Sequence, residues 1–264
     1  MVPGVRSEFR TGGSSWLEHR PVLRAGITLS TATVYIAGGL WLDRYVDRGE
    51  QLVLGVLTAA VLGVLLLLHP RPVRVQTLAV VGIATMGEVV GSIVWGVYSY
   101  RLHNLPAFVP PGHGLVYLTG LSLATLLRTR PALLLTVAGV GAVGWGVAGL
   151  TVLPTADASG ALGCAFLLAV LLWTRRPVYA GVFLAVAALE LYGTAIGTWT
   201  WEAVVPGLRL PQGNPPSGAA SGYVVFDVLA LALTANGASI LLALRQRLVR
   251  GPKPRRAEAS AGAA

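Results

Sequence analysis

Residues 88–100 read EVVGSIVWGVYSY, and a near copy, ELYGTAIGTWTW, occupies residues 190–201. Allowing one residue of slippage, both run glutamate, two residues, glycine, serine or threonine, a short gap, glycine, any residue, aromatic, serine or threonine, aromatic. Glu88 and Glu190 each lie inside an apolar stretch long enough to cross a membrane. An acid at that depth costs about 2.5–3.5 kcal/mol on insertion scales and is by default a functional-site candidate. Two acids in matched phrases point to a polar site built twice within an all-α, polytopic membrane bundle.

Composition agrees. The 264 residues are 54% hydrophobic and 12% charged, with a mean hydropathy of +0.68, outside the range of ordinary soluble domains. The lone Cys164 excludes a disulfide framework and a thiolate metal site. The net charge of +9 could suggest nucleic acid, but the basic residues flank apolar runs, as membrane topology requires. It reads as an orientation signal, with no nucleic-acid partner.

A window of about 19 residues finds eight candidate spans, near 26–42, 51–68, 76–99, 113–127, 131–153, 160–173, 178–200 and 222–244. Most Lys and Arg then fall on one side: Arg6, Arg10, Arg20 and Arg24, the pairs Arg71/Arg74, Arg128/Arg130 and Arg175/Arg176, and the tail after Leu244. Only Arg44, Arg48, Arg101 and Arg209 fall on the other. The positive-inside rule places both termini in the cytoplasm of a multi-pass cell-membrane protein. Residues 1–24 form a cytoplasmic N-terminal segment that lacks a signal-peptide core, and 245–264 a basic, disordered cytoplasmic tail.

Around each glutamate the pattern extends further. An apolar span and an Arg-Pro turn (Arg71-Pro72, Arg176-Pro177) precede it, and a loop with a Pro-Pro pair and one more span follow. This predicts two four-helix repeats in parallel orientation, 25–130 and 131–244, meeting around a shared cavity. On a helix, Gly91, Ser92 and Trp95 share a face with Glu88, and Gly193, Thr194 and Gly197 share one with Glu190. Small residues there let another helix approach, which turns both acids inward. The phrases leave about 18 Å from each acid to the outer helix end.

Asp227 in the last span is a third embedded acid. Its counterpart, when Gly114 is aligned with Gly222, is Thr119, so it breaks the symmetry. His113, at the start of the fourth span, is the candidate for titration near neutral pH. The outer loops carry Arg101, His103, Asn104, Glu202, Arg209, Gln212 and Asn214. Tyr98, Tyr100, Trp199 and Trp201 fall at the outer interface, as an aromatic belt or a substrate platform. A metal site could be drawn from His103, His113, Glu88 and Asp227, but no ligand spacing supports it, so neither metal nor cofactor is assigned. The stripe Ala138, Ala142, Gly146 marks helix packing.

The stretch GEVVGSIVWGVYSYRLHNLPAFVPPGHGLVYL resembles the acid-containing region of the membrane carotenoid hydratases, the bisanhydrobacterioruberin hydratase family. That family has a Gly-Glu pair and a glycine before a Gly-x-Tyr-x-Tyr phrase and a Val-Pro loop. TWTW and the later GNPP look like its Trp-x-Trp phrase and Asn-containing loop. The resemblance implies that Glu88, Tyr98 and Tyr100, with Trp199, Trp201 and Asn214, form the site. The chain is also similar to polytopic membrane proteins of high-GC actinobacteria, a likeness that names no activity. The expectation is an enzyme acting on a membrane lipid or polyprenoid, with Glu88, Glu190, Asp227 and His113 as proton-transfer groups. Tyr98, Tyr100, Arg101, Trp199, Trp201 and Asn214 would then contact substrate. A proton-coupled transporter and a non-catalytic scaffold are the alternatives.

Overall fold

The computed structural model describes residues 20–153 and 156–250. Arg6, Arg10 and the tail beyond Arg250 lie outside the described residues. Eight α-helices are described: α1 Pro21–Asp43, α2 Arg48–Leu67, α3 Arg71–Glu88, α4 Val109–Leu126, α5 Pro131–Thr151, α6 Ala158–Thr174, α7 Pro177–Ala195 and α8 Ala219–Arg250. Five are long and apolar enough to cross a membrane, counting α3 with the π-helical segment Val89–Trp95 that prolongs it. The protein has the make-up of a helical membrane protein.

Local chemistry explains the helix starts. Proline stands in the first turn of α1, α3, α4, α5 and α7, where its missing N–H is not needed. In α2 a capping box replaces it: the Glu50 N–H donates to Asp47 Oδ1 and the Asp47 N–H to Glu50 Oε2, both at 2.9 Å.

Helices α4 and α7 form the centre of the bundle. A Cβ on Gly181 would lie 2.2 Å from the Gly120 carbonyl oxygen, so only paired glycines allow this crossing. The residue leading into α8 packs on α6 as closely, a Cβ on Gly218 falling 2.3 Å from the Gly160 carbonyl oxygen. Ala138 and Ala142 are buried, and Gly146 packs on Cys164, as the small-residue stripe predicts. Large apolar side chains on α1, α2, α3, α5 and α6 point outward instead, among them Val34, Val56, Val94 and Trp173. In water this would be a vast exposed patch; against lipid it is the ordinary outer surface.

The expected all-α architecture needs one correction, because the loops at one end carry two antiparallel ribbons. Strand β1 (Tyr98–Tyr100) pairs with β2 (Trp199–Trp201), and β3 (Val204–Val205) with β4 (Leu210–Pro211). The third and seventh helices therefore stop short of the expected 99 and 200. Gly96 (φ 71°) and Gly197 (φ 78°) turn left-handed and end them, a conformation that glycine adopts without strain. At the other extreme α8 runs on to Arg250, past the expected 244, so the start of the expected disordered tail is helical.

Loop contacts stitch this end into a cap. The Arg101 guanidinium donates to the carbonyl oxygens of Asp43 and Val46 and lies 3.6 Å from the Asp43 carboxylate. Asn104 donates to Gln51, and Gln212 donates to the Val97 carbonyl oxygen. Asp157 caps α6 and accepts four hydrogen bonds, from the N–H groups of Gly160, Gly213 and Ser217 and from the Ser217 hydroxyl.

Candidate functional site

Beneath the cap lies a cavity of about 190 Å³ that both glutamates line. Glu88 ends α3, and its Oε2 accepts from the Tyr98 hydroxyl at 2.6 Å and the Tyr100 hydroxyl at 2.7 Å. Its Oε1 is 3.0 Å from Nε2 of His113 on α4. Oε2 thus faces two hydroxyl donors, and Oε1 an imidazole nitrogen that donates in the tautomer with its proton on Nε2, an arrangement that suits an acceptor-only carboxylate. Glu190, near the end of α7, differs. Its Oε2 accepts from the indole N–H groups of Trp199 at 2.9 Å and Trp201 at 3.1 Å. Among the described residues no donor reaches Oε1.

The β1–β2 ribbon carries all four aromatic donors. Its register sets Tyr98 opposite Trp201 and Tyr100 opposite Trp199. The Tyr98 and Trp201 rings lie 4.5 Å apart, so donors of one carboxyl pack on donors of the other. Burial first, and then the adjacent Glu88 carboxyl, hold the Tyr98 and Tyr100 hydroxyls protonated well above the usual phenol range. They are donors at any ordinary pH.

Glycine one turn beyond each acid makes room for the ribbon. Tyr98 folds back over Gly91, and Trp199 over Gly193. The expectation that these glycines admit a neighbouring helix is thus corrected: an aromatic ring fills the space. The acids also sit nearer the outer helix ends than about 18 Å, since Glu190 is five residues from Ala195, or about 8 Å.

The remaining wall, from α1, α2, α4 and α8, is mostly apolar, with the Tyr35 and Thr58 hydroxyls bonded to each other at 2.9 Å. Helix α8 contributes Tyr223, whose ring centroid lies 5.0 Å from that of His113, and Phe226, which occupies the space left by Gly87. The cavity therefore brings together Glu88, Glu190, His113, Tyr98, Tyr100, Trp199 and Trp201. It leaves out three predicted residues. Asp227 is buried one turn deeper than Tyr223, on the side of Tyr117 and Tyr179, and its Oδ2 has no hydrogen-bond partner among the described residues. Arg101 is spent on the cap. Asn214 is exposed and accepts from the Trp201 backbone N–H at 3.1 Å, so it holds the ribbon rather than lining the cavity.

Sequence reasoning missed Tyr223 and Asp157. The phrase GYVVFD holds Tyr223 directly after the aligned glycine, and Asp157 stands where an N-cap belongs. Among the described residues no three His, Cys, Asp or Glu side chains cluster as a metal site. No family model matches the chain, and neither the curated proteins nor the solved structures include a match.

Proposed function

We propose that the protein is an intramembrane acid–base enzyme that adds water to an isoprenoid double bond of an apolar lipid. The observation that carries this reading is the inequality of the two carboxyls: both Glu88 oxygens have partners, two tyrosine hydroxyls and the His113 imidazole, while Glu190, which lines the same largely apolar cavity, has one oxygen that no donor among the described residues reaches.

In this reading Glu190 acts as the acid. Its Oε1–H gives a proton to the less substituted carbon of a trisubstituted alkene, the π pair forming the new C–H bond. The tertiary cation left behind lies beside the rings of Trp201, Tyr98 and Tyr223, whose π faces attract positive charge. Water adds through its oxygen, and the surplus proton is taken up by the Glu88–His113 cluster and returned to Glu190 through water. The net change is alkene plus water to tertiary alcohol, with no oxidant or reductant. Hydrogen bonds from both ribbon strands hold the acids in register, which supplies orientation.

We read the chain as eight spans in a four-plus-four parallel repeat. Helix pairings support it: α3 packs on α4 as α7 does on α8, and α3 on α8 as α7 does on α4. The arginines at the end remote from the ribbon favour cytoplasmic termini in the cell membrane. A rocking carrier is disfavoured because the ribbon and the Tyr98–Trp201 contact lock the halves together.

Purified protein in lipid nanodiscs, supplied with squalene or lycopene in ¹⁸O-labelled water, tests the reading. Labelled tertiary alcohol is expected from the wild type and not from Glu190→Gln. If the wild type yields no hydration and no deuterium exchange at an isoprenoid carbon in heavy water, the reading fails.

A further inference from the structure

A second recess lies beside the cavity, deeper along the helices. It is about 340 Å³ and is formed by α1, α4 and α7. Ile36, Val116 and Leu189 belong to both recesses, so the two meet at a shared wall one residue from Glu190. Thr33, Ala37 and Ala188 are exposed on its outer rim, so it opens to the surface that the apolar helices present to lipid.

The opening follows from how the halves pack. Helix α1 lies on α4, whereas α5 lies on α7, so the flank of α7 toward α1 stays uncovered. The gap is bridged by the Tyr192 hydroxyl, which donates to the Ala37 carbonyl oxygen at 3.1 Å. Its small rim residues leave a slot, while Leu29, Leu123 and Leu184 line the deep end. From Leu29 to Ala37 the slot follows α1 for about 12 Å.

We infer that this slot binds the apolar chain of the lipid whose double bond reaches Glu190, and that the substrate arrives sideways from the membrane between α1 and α7. The inference rests on reading the cavity as the site of an apolar lipid. Its occupant is an unbranched-to-methyl-branched hydrocarbon chain, for two reasons. The slot adjoins the cavity across Ile36, Val116 and Leu189, three apolar side chains that line both, and its mouth opens at membrane depth, where hydrocarbon is the solvent. Chain length is then read by how far the slot runs, and short terpenes that fill only the cavity escape that selection.

Photolabelling tests this independently of turnover. A farnesyl probe with a diazirine at its tail, added to protein in nanodiscs, should label α1 between Leu29 and Ala37 and α7 between Leu184 and Tyr192. Squalene should compete. Ala185→Leu and Ala188→Phe fill the slot without touching the carboxyls and should reduce that labelling about tenfold. In the hydration assay the same variants should lose squalene turnover and keep geraniol turnover, which also shows that they fold. Labelling spread evenly over the lipid-facing sides of α2 and α5, or unchanged in both variants, overturns the inference. Loss of the reading itself appears elsewhere, as a wild type that neither hydrates nor exchanges deuterium, or as hydration that survives Glu190→Gln.

Discussion

Alanine at Gly193 and at Gly91 should have unequal effects, although both glycines stand three residues after a membrane acid. A Cβ on Gly193 would lie 2.0 Å from Cη2 and 2.4 Å from Cζ2 of Trp199. Carbon atoms settle at about 3.5 Å or more, so the indole must retreat about 1.5 Å. Its 2.9 Å hydrogen bond to Glu190 cannot survive that shift. Overpacking and the weakened hold on a buried carboxyl together cost about 2–4 kcal/mol, moderated because Trp201 still donates to the same oxygen. On Gly91 the Cβ would stand 3.1 Å from Tyr98 Cε1 and 3.2 Å from its hydroxyl, which a shift of tenths of an ångström relieves. The expected cost there is below about 1 kcal/mol. Gly144 has nothing within 4 Å of an added Cβ and serves as the control, neutral or stabilised by up to about 1 kcal/mol. Thermal unfolding in one detergent, followed by near-ultraviolet circular dichroism, separates the three at about 2–4 °C per kcal/mol. Equal melting of Gly193→Ala and Gly91→Ala would refute the ribbon-over-glycine packing.

Other substitutions probe the frame around the site. Gly181→Ala drives a methyl into the Gly120 carbonyl oxygen, which cannot rotate aside, and should cost about 3 kcal/mol or more, seen as lost monodisperse protein on size exclusion. Asp157→Asn turns an amide N–H₂ toward at least one backbone N–H that can only donate, whichever way the amide faces, and should cost about 2–3 kcal/mol and speed hydrogen exchange at Gly213 and Ser217. His69, in the turn between α2 and α3, is held neutral in the fold: burial first, then Arg24 and Arg74, lower its pKa from 6.5 to about 4. The unfolded chain therefore takes up a proton that the folded one refuses. Stability on this account is flat above about pH 7 and falls as pH drops from 6.5 to about 4. Melting curves of His69→Gln should lack that share of the acid slope.

The helices were legible because apolar runs and Arg-Pro punctuation are strong signals, and the observed starts at Pro21, Pro131 and Pro177 fall at those marks. The ends at Gly96 and Gly197 were not. VYSY and TWTW are apolar enough to extend a hydropathy window, and no window registers a positive φ. The inward turn of both acids was readable from helical spacing, but the identity of their partners was not, because the donors return from a ribbon that forms only when both phrases are present. Asp227 misled for a reason of helix face. The cavity is lined on α8 by Ala219, Gly222, Tyr223 and Phe226, and Asp227, about 100° round the helix from Phe226, lies outside that arc on the side of Tyr117 and Tyr179.

The slip of one residue between the two phrases has a structural answer. Glu190 stands seven residues before the left-handed Gly197, and Glu88 eight before Gly96. In an uninterrupted α-helix one extra residue would rotate Gly96 by about 100° and throw the tyrosines off the Glu88 carboxyl. The π-helical segment Val89–Trp95 absorbs it. Both acids therefore meet two aromatic donors on one oxygen despite unequal spacing. What differs is the chemistry of the donors. Phenol hydroxyls and an imidazole can pass protons on, whereas an indole N–H only donates. In the proposed hydration the Glu88 side would move protons and the Glu190 side would hold one until a bound molecule takes it. That proposal needs no third acid, because Tyr-x-Tyr against Trp-x-Trp, with His113 on one side alone, already makes the two carboxyls unequal.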